Sequence, residues 1–239
     1  MLGPLDYVIL VLALTGEVCV VLAILFRRDL RRYFSLSLYM MSAAGIVCGQ
    51  YLSIAKYGLH SMEYRLFYYY TGSLLTILMY FVIVQFYQQA FSELNVNRYV
   101  RGGALILLMS TAAFSYLVVR NNSHRLTSDF VVELGQNLYF VGVVLTYLLW
   151  AAILHLKETR TRFVQLVLAL GIYFSGNAGS YALRHLFPDL QSAFLQWLPP
   201  LFGALLPLAW LYTFLKVPED ARLATARLVA PQPLAIKAR

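Results

Sequence analysis

Charge is scarce in this sequence. Asp, Glu, Lys and Arg together make up 13% of its 239 residues, about half the share usual in a soluble domain. With 60% apolar residues and a mean hydropathy of +0.66, the shortage excludes a solvated surface and leaves an integral membrane domain. The two cysteines, Cys19 and Cys48, fall inside apolar runs at different depths, which excludes a disulfide framework. Histidine is also rare: His60 and His124 lie in connecting segments, and His155 and His185 sit at opposite ends of their runs. Paired axial haem ligands would need a common depth. There is no HExxH, no pair of intramembrane aspartates and no serine and histidine at matched depth. No catalytic residue, metal or cofactor is therefore expected.

What is present is a series of seven apolar runs: Leu5–Phe26, Tyr33–Ala55, Leu66–Ser92, Ala104–Val119, Phe130–Leu154, Phe163–Leu183 and Ala193–Leu215. The fourth is the shortest. The first lacks a preceding basic segment and is longer than a signal-peptide core, so it is expected to be a retained span. Connections of about six to twelve residues make consecutive helices antiparallel neighbours and leave no room for a second domain. The predicted fold is an all-α, polytopic seven-transmembrane bundle over residues 1–215, followed by a tail over 216–239. In the tail, Pro218, Glu219 and Asp220 resemble the start of a short interfacial helix that Pro231 and Pro233 would stop.

The net charge of +8 does not point to nucleic acid, because the basic residues sit in short groups between apolar runs. Arg27, Arg28, Arg31, Arg32, Arg98, Arg101, Lys157, Arg160, Arg162, Lys216, Arg222, Arg227, Lys237 and Arg239 fall on one side. Lys56, Arg65, Arg120, Arg125 and Arg184 fall on the other. The positive-inside rule then predicts an outside N-terminus and a cytoplasmic C-terminus.

Within the third run, Tyr69, Gly72, Thr76, Tyr80, Ile83 and Tyr87 recur at steps of three or four. They form a polar face opposite Leu74, Leu75, Leu78, Phe81, Val82 and Phe86, which are expected toward lipid. Small residues mark packing faces at Gly45 and Gly49 in the second run and at Gly171, Ser175 and Gly179 in the sixth. These seams serve either contacts within the bundle or a homo-oligomer. Pro199, Pro200 and Pro207 should kink the seventh run and free the carbonyls of Leu195, Gln196 and Gly203.

Counting depth from the ends of the runs brings Gln50, Tyr69, Tyr70, Glu133, Gln136, Asn137, Asn177 and Gln196 to one outer level. Two readings stay open: a ligand pocket facing outside, or interfacial tyrosines with amides that join helices. Glu17 stands near mid-membrane with no lysine or arginine at its depth. It is a candidate for proton coupling or for a buried hydrogen bond to a group such as Thr76 or Tyr80.

The seventh run has no lysine before Lys216, so a retinal Schiff base is excluded. The third run ends QFYQQAFSEL with no acidic-Arg-Tyr triplet. In its layout over Leu5–Leu215 and in RLFYYYTGSLL at Arg65–Leu75, the chain resembles the seven-helix N-terminal sensor modules of bacterial signalling proteins. The resemblance implies a sensing role in a bacterial inner membrane. Three functions are carried forward: a receptor-like bundle acting through a protein partner, a small proton-coupled transporter, and a structural subunit of a membrane complex.

Overall fold

The computed structural model describes residues 4–58, 61–92, 97–122, 126–156, 160–186, 193–219 and 221–222. Those residues form seven α-helices: α1 (Pro4–Phe26), α2 (Phe34–Tyr57), α3 (Met62–Ala90), α4 (Asn97–Asn122), α5 (Leu126–His155), α6 (Thr161–Leu186) and α7 (Ala193–Lys216). Six contain stretches long and apolar enough to cross a membrane, and α4 carries a shorter apolar stretch at Ile106–Leu117. The protein is a multi-pass, all-helical integral membrane protein whose outer faces contact lipid. α4 has 26 residues, about 39 Å of helix, so its length also exceeds the roughly 30 Å hydrocarbon core.

Helix directions follow from which ends meet. Arg27 Nη2 donates to the Leu215 carbonyl at 3.3 Å, Gln89 Nε2 to the Arg32 carbonyl at 2.7 Å, and Arg160 Nη2 to the Gln89 carbonyl at 3.1 Å. These bonds gather the C-terminal ends of α1, α3 and α7 with the N-terminal ends of α2 and α6. The short links then make the helices alternate, with α3 and α5 parallel. Arg27, Arg28, Arg31, Arg32, Arg160, Arg162, Lys216 and Arg222 all stand at this one end, hereafter the basic end.

Six helices close a ring in the order α1, α2, α3, α5, α6, α7, with α7 returning to α1. α4 lies outside it, packed on α5 and more sparsely on α3. The ring is filled. Phe86 of α3 reaches across to Trp210 of α7 (centroids 6.5 Å apart) and to Phe163 of α6 (5.8 Å), and Tyr39 of α2 meets Trp210 at 6.5 Å. Trp210, Phe86, Phe163 and Phe174 are essentially inaccessible, and the Trp210 indole donates to the Leu166 carbonyl at 3.1 Å.

The expected faces of α3 need correction. Leu74 and Phe81 do face outward, but Val82 and Phe86 are fully buried, whereas Tyr69 and Gly72 are exposed. A helix touched by α2, α5 and α4 is covered around most of its circumference, so a two-faced pattern overstates its lipid side.

The packing seams also divide. A Cβ at Gly49 would come within 2.8 Å of the Phe67 ring, and one at Gly171 within 3.2 Å of Thr146 Cγ2. Gly45 and Gly179 instead face open space, and Ser175 is half-buried. Each step of four residues turns about 40° around a helix, so Gly179 has rotated away from the contact that Gly171 makes. Other glycines are crowded too: a Cβ at Gly176 would come within 2.5 Å of the Phe202 ring, one at Gly142 would run into the Phe174 ring, and one at Gly16 would come within 3.2 Å of Pro207.

Beyond α7 the chain does not start a helix at Pro218. Ala221 donates to the Pro218 carbonyl in a turn, and Thr161 donates to the Ala221 carbonyl at 3.0 Å, pairing Arg160 with Arg222 as an isolated bridge. The N–H groups at the start of α6 need acceptors, and the tail supplies one. The remainder of the expected tail helix lies outside the described residues.

Candidate functional site

Two polar systems occupy the bundle, one inside the ring and one at the basic end. The inner system joins five ring helices. The Tyr139 hydroxyl of α5 and the Tyr173 hydroxyl of α6 are 3.3 Å apart. Tyr139 also reaches Thr76 of α3, and Tyr173 reaches Tyr39 of α2. Tyr39 in turn lies within electrostatic range of Glu17 on α1. Glu17 is 8% exposed, and its Oε2 is buried without a hydrogen-bond partner. A buried oxygen left unpaired costs on the order of 1–3 kcal/mol, so this carboxylate gains from a bound proton or donor.

Glu17 also sits beside the irregular part of α7. Its neighbour Gly16 is the residue that packs against Pro207, and Pro207 leaves the Gly203 carbonyl without its helical donor. All three prolines lie within the continuous helix α7.

The second system is a clamp around Arg162, which is 2% exposed. Its Nε and Nη2 donate to the Val217 carbonyl at 3.0 and 2.9 Å, and Nη1 donates to Asp29 Oδ2 at 3.3 Å. Glu219 Oε2 lies 4.0 Å from the same nitrogen, and Glu219 also pairs with Arg32. One guanidinium thus satisfies a carbonyl at the end of α7, where the helix leaves acceptors unfilled, and holds the α1–α2 link. Gln85 completes the clamp, accepting from Ser35 N at 3.1 Å and donating to the Arg32 carbonyl at 2.8 Å. The link itself opens with Arg28 in the left-handed region at φ 57°. Asp29 N reaches the Ile24 carbonyl and Arg28 N the Leu25 carbonyl, the two crossed bonds of a Schellman end.

The residues brought to one outer level, read either as a pocket or as interfacial tyrosines with helix-joining amides, turn in different directions. Asn137 donates to Ser115 of α4 at 3.0 Å and to Glu133 at 3.2 Å, so these two point away from the ring, toward α4. Asn177 is buried and donates to its own helix at the Tyr173 carbonyl, 2.9 Å away. Tyr69 and Tyr70 are exposed, at 41% and 46%, and Gln50 and Gln136 are partly buried. The Gln196 side chain lies outside the described residues. Two cavities of about 580 and 760 Å³ are lined by other residues. Depth brings groups to one level, but the angle around each helix decides whether they meet, and here the angles differ. Thr76, expected as a partner for Glu17, donates its hydroxyl to the Gly72 carbonyl instead; Tyr39 lies within electrostatic range of Glu17.

Sequence reading missed Tyr39, Tyr139, Tyr173, Arg162 and Gln85. Tyr173 had a signal: it lies one turn from Asn177, on the same face. Arg162 had none, because it reads as one more positive-inside charge.

The chain matches no family model, no curated protein and no solved structure.

Proposed function

We propose that this protein is a receptor-like sensory bundle of a bacterial inner membrane, with its N-terminus outside and the basic end in the cytoplasm. Its stimulus acts on Glu17 and is passed along α7 to a protein partner at the basic end. The observation that carries this reading is the unpartnered Glu17 carboxylate oxygen next to the contact of Gly16 with Pro207. A donor or proton arriving there changes what α1 presents to α7, and α7 ends in the Arg162 clamp. The resemblance of RLFYYYTGSLL and the seven-span layout to bacterial sensor modules agrees with this role.

The test uses the full chain in lipid nanodiscs, spin-labelled at Lys216 and Phe34, with an acid step as the probe. The expected result is a change in the label distance that Glu17→Gln abolishes. A distance unmoved by acid, or moved equally in Glu17→Gln, would overturn the role of Glu17 as the responsive group.

A second reading, a subunit of a larger membrane complex, is favoured by the 760 Å³ groove on the outer face of α5 and α6. Exposed Tyr147, Leu168 and Ile172 flank Gly171 and Ser175 there. Cross-linking from Ile172 to a second chain would favour it. The transporter reading ranks below both, since Phe86, Phe163 and Trp210 fill the ring toward the basic end.

A further inference from the structure

The 580 Å³ cavity lies on the outer face of the ring, between α2 and α4, with α3 as its floor. Its volume is within the range of about 300–1,000 Å³ typical of small-ligand sites. It exists because α4 leans on α5 and touches α3 only sparsely, leaving a furrow along α3 that opens to lipid. Phe34, Leu38 and Phe81, which line it, are 57%, 42% and 41% exposed.

The furrow is graded along its length. Toward the basic end it is lined by Arg31, Gln88 and Ser35, and deeper along α3 by Phe81 and Leu78, with Leu108 of α4 opposite. From Gln88 to Leu78 is ten residues of helix, or about 15 Å, half the roughly 30 Å hydrocarbon core. A partner helix would need a groove running through both leaflets; this one has the depth of a single leaflet.

Its polar end is selective for negative charge. Gln85 already spends its amide on Ser35 N and the Arg32 carbonyl. Among the described residues Arg31 is exposed and forms no ion pair, while neighbouring Arg32 and Arg162 are neutralised by Glu219 and Asp29. Of the basic-end cations, Arg31 is the one that lines the furrow, so an unneutralised charge sits at its mouth.

We infer that the furrow between α2, α3 and α4 is a binding site for an anionic glycerophospholipid, its phosphate on Arg31 and Gln88 and an acyl chain along Leu38, Phe81 and Leu78. The site is separate from the interior chain of hydroxyls and does not depend on the proposed sensory role.

The test takes the purified full chain in detergent and adds phosphatidylglycerol or phosphatidylcholine with identical acyl chains. Retained lipid is read by native mass spectrometry. Phosphatidylglycerol should be retained preferentially. Arg31→Gln should weaken its retention about fivefold, the usual effect of one basic residue near an anionic headgroup. Leu38→Trp, which fills the apolar part while leaving Arg31 in place, should also remove the lipid. Lys216→Gln, at the same end but outside the furrow, should leave retention unchanged. Equal retention of both lipids would overturn the site, as would an equal loss in Lys216→Gln and Arg31→Gln. Displacement of the lipid by inorganic phosphate alone would overturn the role of the acyl chain.

Discussion

Arg162 at the basic end and Glu17 in the ring are both buried ionisable groups of a membrane protein, and the bundle surrounds them in opposite ways. Arg162 has a carbonyl on two nitrogens and a carboxylate on the third. Glu17 keeps a carboxylate oxygen with no partner, with Tyr39 in electrostatic range. A satisfied ionisable group fixes one geometry, whereas an unsatisfied one leaves a group whose partners can change. The difference separates the part of the molecule that holds helix ends in register from the part able to respond.

The largest expected effect comes from breaking the satisfied side. Arg162→Met would strand Asp29 and the Val217 carbonyl, and removing one member of a buried pair costs about 3–5 kcal/mol. Arg162→Lys should recover little, since an ammonium cannot reproduce the fork on Val217. Thermal unfolding in detergent measures both, and a loss under about 1 kcal/mol for Arg162→Met would show that the clamp does not hold the fold.

Packing inside the ring supplies the next contrast. Gly142→Leu must displace the Phe174 ring and should cost about 1–3 kcal/mol. Gly179→Leu, which faces open space, should melt close to the parent. Reversal of that order would mean that the α5–α6 contact is looser than the α6 seam.

These two glycines also show how far sequence reading reached. The seven apolar runs marked all seven helices, because length and hydropathy are properties of one segment. Grouping Arg27 to Arg32 with Arg160, Arg162 and Lys216 at one end was legible for the same reason. Which glycine is crowded depends on the rotation of a neighbouring helix: Gly142 is tight because Phe174 points at it, and nothing local to Gly142 says so. The outer polar level divides on the same ground. Glu133 and Asn137 share their depth with Asn177 but turn toward Ser115, on a helix outside the ring. Glu17 stood out because a carboxylate in the middle of a 23-residue apolar helix needs no neighbour to be anomalous.

A smaller effect, of opposite sign, tests the clamp from its backbone side. Arg28 adopts φ 57° to close α1, a conformation that costs an L-residue roughly 1–2 kcal/mol and glycine almost nothing. Arg28→Gly should therefore raise stability by about 1 kcal/mol, less whatever flexibility glycine adds to the unfolded chain. A loss of stability would mean that the Arg28 side chain contributes to the clamp.

The smallest expected change in stability sharpens the comparison most. Glu17→Gln keeps the size of the side chain and removes the titrating proton. The oxygen being replaced has no hydrogen-bond partner to lose, so unfolding should shift by less than about 1 kcal/mol, against the several expected for Arg162→Met. Glu17→Leu removes the unpaired carboxylate oxygen altogether and should be neutral or stabilising, because that buried polar atom is then no longer left unpaired. A position that tolerates both changes in the fold, yet whose glutamine variant loses the acid-driven movement of α7, is held for response rather than for structure. Were Glu17→Gln to destabilise as much as Arg162→Met, the carboxyl group would be a structural anchor, and the contrast between the two buried groups would collapse.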